Sequence, residues 1–314
     1  MDILHENLHR LDDIKRMVQM KDTTYFHHAT VHPRTLTDKT ISIVMTSHER
    51  SRQVYYTLQL INNSAIKDIQ VILVDDSNND PVRVEILAMY GFHIDFIQIR
   101  TDCKFWANPC VNYNIGFQYV QGGKVVIQNS EVCYIGDVLA YIAEKTPENQ
   151  YDIFDVIATR GFEANGLLYQ QTYLDTGIYR ENLWIQWYQH HKLRNVQYHF
   201  LCAMSRNTFD RIGGFSYDYA FGSCYDDDDL LLKIKHKAIP IHAVPNEVHH
   251  VGGIHLFHGY KHNMTDTRAY SNPMNDILFD KKRRFLLMNQ QYLELSDFET
   301  LKEKVQMYVL LNRF

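Results

Sequence analysis

The stretch ISIVMTSHERSRQVYYTLQLINNSAIKDIQVILV, residues 41–74, decides the fold. ISIVM (41–45) and IQVILV (69–74) are short apolar runs rich in β-branched residues, the composition of strands. Between them, from Gln53 to Ile61, Val54, Leu58 and Ile61 recur at helical spacing. Strand, helix and strand within about 30 residues is the size of a βαβ unit. Toward the C-terminus the alternation continues. Pro81 suits the first turn of a helix running to Met89, and IDFIQI (94–99) reads as a third strand. Val111 to Tyr119 reads as a helix, KVVIQ (124–128) as a fourth strand, and Ile135 to Ala143 as another helix. This order predicts an α/β fold with a mostly parallel central sheet covered by helices on both faces. Ligands are then expected beyond the C-terminal strand ends, just after Met45, Val74 and Gln128.

Outside this core, residues 3–20 set Ile3, Leu4, Leu8, Leu11, Ile14, Met17 and Val18 at helical intervals, an amphipathic helix preceding the main domain. A polar stretch containing Pro33 follows. Past Tyr151 the rhythm breaks. IFDVIA (153–158) reads as a strand, and residues 160–200 are aromatic-rich without a clear period. A helix from Asp227 to His236, a strand IPIHAV (239–244) and helical patterns at 276–290 and 297–311 complete the chain. The last pattern opens on Ser296-Asp297-Phe298-Glu299, a capping box.

The chain has 314 residues, enough for one large or two intimately joined domains, and 45% hydrophobic with 22% charged residues excludes wholesale disorder. A net charge of −5, from 32 basic and 37 acidic residues, gives no electrostatic footprint for nucleic acid, although Lys281, Lys282, Arg283 and Arg284 form a local basic run. The wealth of Tyr (21), Phe (16) and His (17) suits core packing and sites for planar or polyhydroxylated ligands. Five scattered cysteines lack any CxxC spacing and read as reduced thiols. The N-terminus has no signal-peptide apolar region, and no run reaches the roughly 18 apolar residues of a transmembrane segment. A cytoplasmic protein is expected.

Five clusters carry potential chemistry. Thr46-Ser47-His48-Glu49-Arg50 and Asp75-Asp76-Ser77 stand at two predicted strand ends, where carboxylates accept from base N–H or ribose hydroxyls and an imidazole offers a stacking face; a capped Asp-Ser turn is the plainer reading. Asn129 and Glu131, two apart on an extended segment, point the same way and can approach one hard cation; a polar turn is the alternative. Asp226-Asp227-Asp228-Asp229, preceded by Gly213-Gly214-Phe215, is the sharpest feature. A helix N-terminus favours acids, yet four adjacent carboxylates repel one another. One of them held in a partly desolvated cleft would suit a general base toward an alcohol. His255 and His258 could complete a cation's coordination or bind phosphate, or lie on the surface.

In this order the clusters resemble the GT-A-fold nucleotide-sugar glycosyltransferases, most closely family 2, over residues 41–260. ISIVMTSHER resembles that family's opening strand and nucleotide loop, VILVDDSNND its strand ending in paired aspartates, and Asn114-Ile115-Gly116 the asparagine-x-glycine of the helix before the metal strand. The DxD metal motif falls on Asn129-Ser130-Glu131, a departure. IGGFSYDYAFGSCYDDDDLLLKI resembles the GGFDE and ED-x-D-L segments, and IHLFH the downstream histidine motif. The resemblance implies a GT-A (Rossmann-like) fold divided into a helical extension (1–40), a nucleotide-sugar-binding half (41–150), an acceptor-binding and catalytic half (151–262) and a helical C-terminal region (263–314).

It further implies inverting transfer of a hexose from a UDP-sugar, UDP-glucose or UDP-galactose favoured, to a hydroxyl of a glycan or protein. Asp227 would be the base. Thr46, His48, Glu49, Arg50, Asp75, Asp76 and Asn114 would bind the donor. Asn129, Glu131 and His258 would hold Mn2+ or Mg2+. Trp184, Trp187, Tyr188, His190, His199, Asp226 and His255 would border the acceptor. No nucleic-acid partner or membrane span is expected, and the terminal helices are compatible with a homodimer. The alternative is a catalytically silent nucleotide-sugar-binding or scaffold protein, motivated by the degenerate metal motif and opposed by the intact acidic cluster. A nucleotidyltransferase would want a glycine-rich, lysine-containing loop after the first strand, which SHERSRQ does not supply.

Overall fold

The computed structural model describes residues 2–170, 185–259, 268–297 and 301–313. Its first strand is one that hydrophobic pattern does not reveal. Strand β1 (Phe26–Val31) lies in the polar stretch and pairs antiparallel with β4 (His93–Ile99) at the edge of the main sheet. Only Phe26 of β1 is buried, so no apolar alternation marks it. His28 Nε2 meets Asp95 Oδ1 at 2.8 Å and Thr30 Oγ1 donates to the same oxygen at 3.3 Å, which fastens the strand through polar contacts.

The βαβ unit over residues 41–74 is present. Strands β2 (Ile41–Ser47) and β3 (Ile69–Asp75) run parallel around a helix over Ser51–Asn62. With β4 and β5 (Lys124–Asn129) they form a four-strand parallel block in the order β4-β3-β2-β5. The full eight-stranded sheet runs β1-β4-β3-β2-β5-β10-β7-β11, where β7 is Tyr151–Phe154, β10 Leu201–Ser205 and β11 Ile241–Val244. Strand β10 is antiparallel to both β5 and β7. A second sheet, β6-β12-β8-β9, joins Val132–Ile135, Gly252–His255, Val156–Thr159 and Ile185–Gln189.

Three local expectations change. IFDVIA is two strands, split at Asp155 so that β7 enters the large sheet and β8 the small one. The helix expected from Pro81 to Met89 shrinks to one turn, Val84–Leu87, because the loop before it is committed to Asp75 and Glu49. The helix expected from Ile135 starts later, at Val138, where Asp137 caps it through Ala140 N at 3.0 Å; Val132–Ile135 is β6.

The N-terminal helix, Asp2–Met20, buries Leu8, Leu11, Ile14, Met17 and Val18 in the core shared with the helix over Pro109–Phe117. Each such side chain contributes about 1.5–3 kcal/mol relative to exposure. That helix also lies tight on β2: a Cβ on Gly116 would come 2.9 Å from Val44 Cγ1. The basic run is not a patch. Lys282 is buried against Asp218 at 2.9 Å and Asp229 at 3.3 Å, while Arg283 and Arg284 pair with Asp280. The helix over Arg268–Asn289 is thereby fastened to the acidic segment. All five cysteines are free thiols, and among the described residues no helix is long and apolar enough to cross a membrane.

Candidate active site

Strand register assembles the site. Strand β2 is the switch point, with β3 on one side and β5 on the other, so the loops after them diverge and leave a crevice. Thr46 pairs with Asn129 and Ser47 with Asp75. Asn129 N donates to Phe200 O at 3.2 Å, which sets His199 beside the end of β5. In the small sheet His255 pairs with Val132, and Leu256 N donates to Glu131 O at 2.9 Å, bringing the histidine segment to Glu131. The crevice is a cavity of about 360 Å³ lined by Thr46, His48, Arg50, Asp76, Asn129, Glu131, His199, Asp226 and Asp227 among others.

At one end the loops after β2 and β3 are zipped together. Glu49, at φ 53, accepts from the backbone N–H groups of Asn78, Asn79 and Asp80 at 2.7–2.9 Å. Asp80 Oδ1 and Oδ2 accept from Ser51 Oγ and N, capping the helix over Ser51–Asn62. Asp75 is fully buried and accepts from Ser77 Oγ at 2.7 Å and Val82 N at 2.9 Å. The loop so built presents His48, Arg50 and Asp76. Asp76 accepts from Asn112 Nδ2 at 2.9 Å, meets His48 Nδ1 at 2.9 Å and pairs with Lys104. Burial opposes its ionisation, but His48 and Lys104 outweigh burial and hold the carboxyl far below its usual range.

Glu131 is buried and ion-paired to the Arg50 guanidinium. His255 Nε2 lies 3.1 Å and His258 Nε2 3.6 Å from its Oε1. Here too burial opposes the charge, and Arg50, His255 and His258 overcome it, so Glu131 stays ionised well below the usual carboxylate range. The ligand atoms of Glu131, His255 and His258 lie within 4.8 Å of one another, and buried His255 Nε2 has no aligned hydrogen bond. One carboxylate with two imidazoles is a donor set that fits a first-row divalent ion.

At the other end the four aspartates part ways around one helical turn. The helix over Asp226–His236 starts after Cys224 and Tyr225, both left-handed at φ 65 and 67. Asp228 accepts from Tyr198 Oη; Asp229 is sunk between Tyr219, Tyr292 and Lys282. Asp226 and Asp227 face the cavity. Asp226 accepts from Asn108 Nδ2 at 3.1 Å, and burial followed by the neighbouring Asp227 charge pushes its carboxyl up to about 7. Asp227 Oδ1 lies 2.6 Å from His199 Nδ1, close enough for an ion pair though not aligned as a hydrogen bond. Burial opposes protonation of His199, but Asp227 and Asp226 prevail and raise its pKa.

The sequence-derived candidates therefore divide. Thr46, His48, Arg50, Asp76, Asn129, Glu131, His199, Asp226 and Asp227 line one cavity. Asp75 and Glu49 instead shape the loop. Asn114 grips Phe215 by accepting from its N and donating to its O, both at 2.9 Å, and so fixes the Gly213-Gly214 turn, whose glycines have φ 79. His255, read as bordering the acceptor, stands against Glu131, and the Tyr188 ring packs on it at a tilt, with ring centroids 4.1 Å apart. Trp187 and His190 pack on each other outside the cavity, and His190 Nδ1 accepts from Lys192 N and Leu193 N. The neighbouring His191 bridges Asp155 and Glu247 with its two ring nitrogens. Trp184 lies outside the described residues. Lys104, Asn108, Asn112 and Tyr113 were not foreseen; Asn108-Pro109, an N-cap followed by N1 proline, was the available signal for this segment.

A family model for glycosyl transferase family 2 matches residues 42–212. The chain belongs to that family. Among solved structures, this family 2 member is similar to Staphylococcus aureus TarS residues 1–349, at 12% identity and a TM-score of 0.53 over 85% of this chain and 68% of that one. The TarS 1–349 complex with UDP-GlcNAc matches at 11% identity and a TM-score of 0.50, covering 85% of this chain and 78% of that one. The longer TarS structure matches at 12% identity and a TM-score of 0.52, covering 87% of this chain but 43% of that one. No curated protein matches. The fold is GT-A, and the chain is a nucleotide-sugar glycosyltransferase.

Proposed function

We propose that this glycosyltransferase moves a hexose from a UDP-sugar to a hydroxyl of a glycan or protein acceptor, with inversion at the anomeric carbon. The observation that carries the reading is the shared cavity. Asp227 faces the same space as Asp76, Arg50 and Glu131, although these residues lie up to 177 positions apart in the chain. His48 and Asp76 bind the nucleoside, the imidazole through its face and the carboxylate through hydrogen bonds. Arg50 and Lys104 meet the diphosphate, whose planar and point-charge recognition suits a guanidinium and an ammonium respectively. A divalent cation held by Glu131, His255 and His258 would add positive charge where the diphosphate departs.

Asp227 takes the proton from the acceptor hydroxyl as that oxygen attacks the anomeric carbon and the bond to the diphosphate breaks. One displacement suffices, without a covalent sugar-enzyme intermediate. His199 keeps the Asp227 carboxylate facing the cavity, and Asp226, its carboxyl raised to about 7, puts less negative charge beside it than an ordinary aspartate would. Asn108 and Asn114 secure the two walls that flank the pair.

The test is a panel of UDP-sugars, with UDP-glucose, UDP-galactose and UDP-GlcNAc included because a structural relative is crystallised with the last. Release of UDP from at least one, and inverted product once an acceptor is found, is expected. A chain that binds a UDP-sugar and releases none, with acceptors present, would instead be the silent binding protein.

A further inference from the structure

We propose that Arg50 is the resident counter-cation of Glu131 and competes with the divalent ion for it, so that metal and nucleoside diphosphate bind as a coupled pair. The inference deepens the function proposed above, since it couples the two ligands of that same site. Glu131 is the only carboxylate in the Asn129-Ser130-Glu131 segment, and its side chain is 3% exposed. The Arg50 guanidinium is paired with it directly, and His255 and His258 stand at 3.1 and 3.6 Å. One negative group is therefore already neutralised before any metal arrives.

A divalent ion added to this arrangement would leave about two uncompensated positive charges in a desolvated crevice, which is strongly unfavourable. A second aspartate where Asn129 stands would have relieved that excess. The diphosphate can do so instead. Among the described residues Arg50 is otherwise held through Nε, which donates to His48 O at 3.0 Å, and it lines the same cavity as Lys104. Turning its fork from Glu131 to a phosphate keeps the guanidinium paired and frees the carboxylate for metal. Anion and cation then each make room for the other. Because coupling is reciprocal, the factor by which UDP tightens metal equals that by which metal tightens UDP.

The experiment measures Mn2+ binding by electron paramagnetic resonance of the free ion, with no nucleotide, with uridine and with UDP. Wild type, two charge-removing variants, Arg50→Gln and Arg50→Met, and the charge-keeping Arg50→Lys are compared. Without nucleotide, Arg50→Gln and Arg50→Met should bind Mn2+ about tenfold tighter than wild type, while Arg50→Lys stays close to wild type. UDP, unlike uridine, should tighten Mn2+ strongly in wild type and less in the two charge-removing variants. Unchanged or weaker Mn2+ binding in both of those variants overturns the proposal, as does a UDP tightening that is present and of equal size in all four proteins. If UDP changes nothing anywhere while the two variants still gain Mn2+, the competition stands and the UDP-sugar reading fails.

Discussion

The two ends of the cavity treat carboxylates in opposite ways. At the Glu131 end one buried acid is surrounded by Arg50, His255 and His258; at the other, four successive acids share His199 and Lys282 as their close cationic partners. The first end is a cation-rich socket that accepts a departing anion. The second keeps Asp227 at the cavity edge by sending Asp228 and Asp229 elsewhere and raising Asp226 toward neutrality. The difference explains how a run of four aspartates is tolerated: each has its own direction and its own partner, so mutual repulsion is spread over one helical turn.

The contrast breaks most visibly at Asp227. Asp227→Asn should lower transfer by about 10²–10⁴-fold while calorimetry shows UDP affinity unchanged; wild-type turnover would show that the base lies elsewhere. At the opposite end, Glu131→Ala leaves the half-buried Arg50 without its partner and should cost about 1–3 kcal/mol in denaturant unfolding. A change below 1 kcal/mol would mean that the Arg50 charge finds water or another acid. Asn114→Ala removes both hydrogen bonds to Phe215, and about 1–3 kcal/mol of stability should go with them, together with part of kcat because the turn leading to the aspartates loosens. Stability lost with kcat intact would separate the clasp from catalysis.

The smallest effect concerns pH. Asp226 has a folded-state pKa of about 7, above the roughly 3.9 of an unfolded aspartate, so the folded chain binds that proton more tightly. Stability contributed by the bound proton is lost as pH rises through that window. Asp226→Asn removes the dependence, so the variant should gain stability relative to wild type as pH rises from 4 to 8. Parallel stability curves for the two proteins would contradict the assignment.

Much of this is legible in the sequence. The strands β2, β3, β4 and β5 are buried and β-branched, and their ends bear polar clusters, so pattern and position spoke together. Strand β1 was silent because an edge strand with one buried residue has no period to read. The break at Asp155 was hidden for a different reason: two four-residue strands with apolar residues on both sides look like one longer strand until the second sheet is known. Within the site, residue types identified the chemistry but not the direction of each side chain. Asp75 and Asp76 are neighbours with opposite duties, because successive residues at a strand end face opposite ways. Lys104 carried no local motif, and only the fold brings it to Asp76.

In the proposed reaction one diphosphate lies between Arg50 and Glu131, with the sugar directed at Asp227. Crystals soaked with UDP and Mn2+ test it most directly. Phosphate oxygens within hydrogen-bond distance of the Arg50 guanidinium, and the ion on Glu131, are expected. UDP seated outside this cavity, or a diphosphate turned toward Asp226 and Asp227, would contradict it.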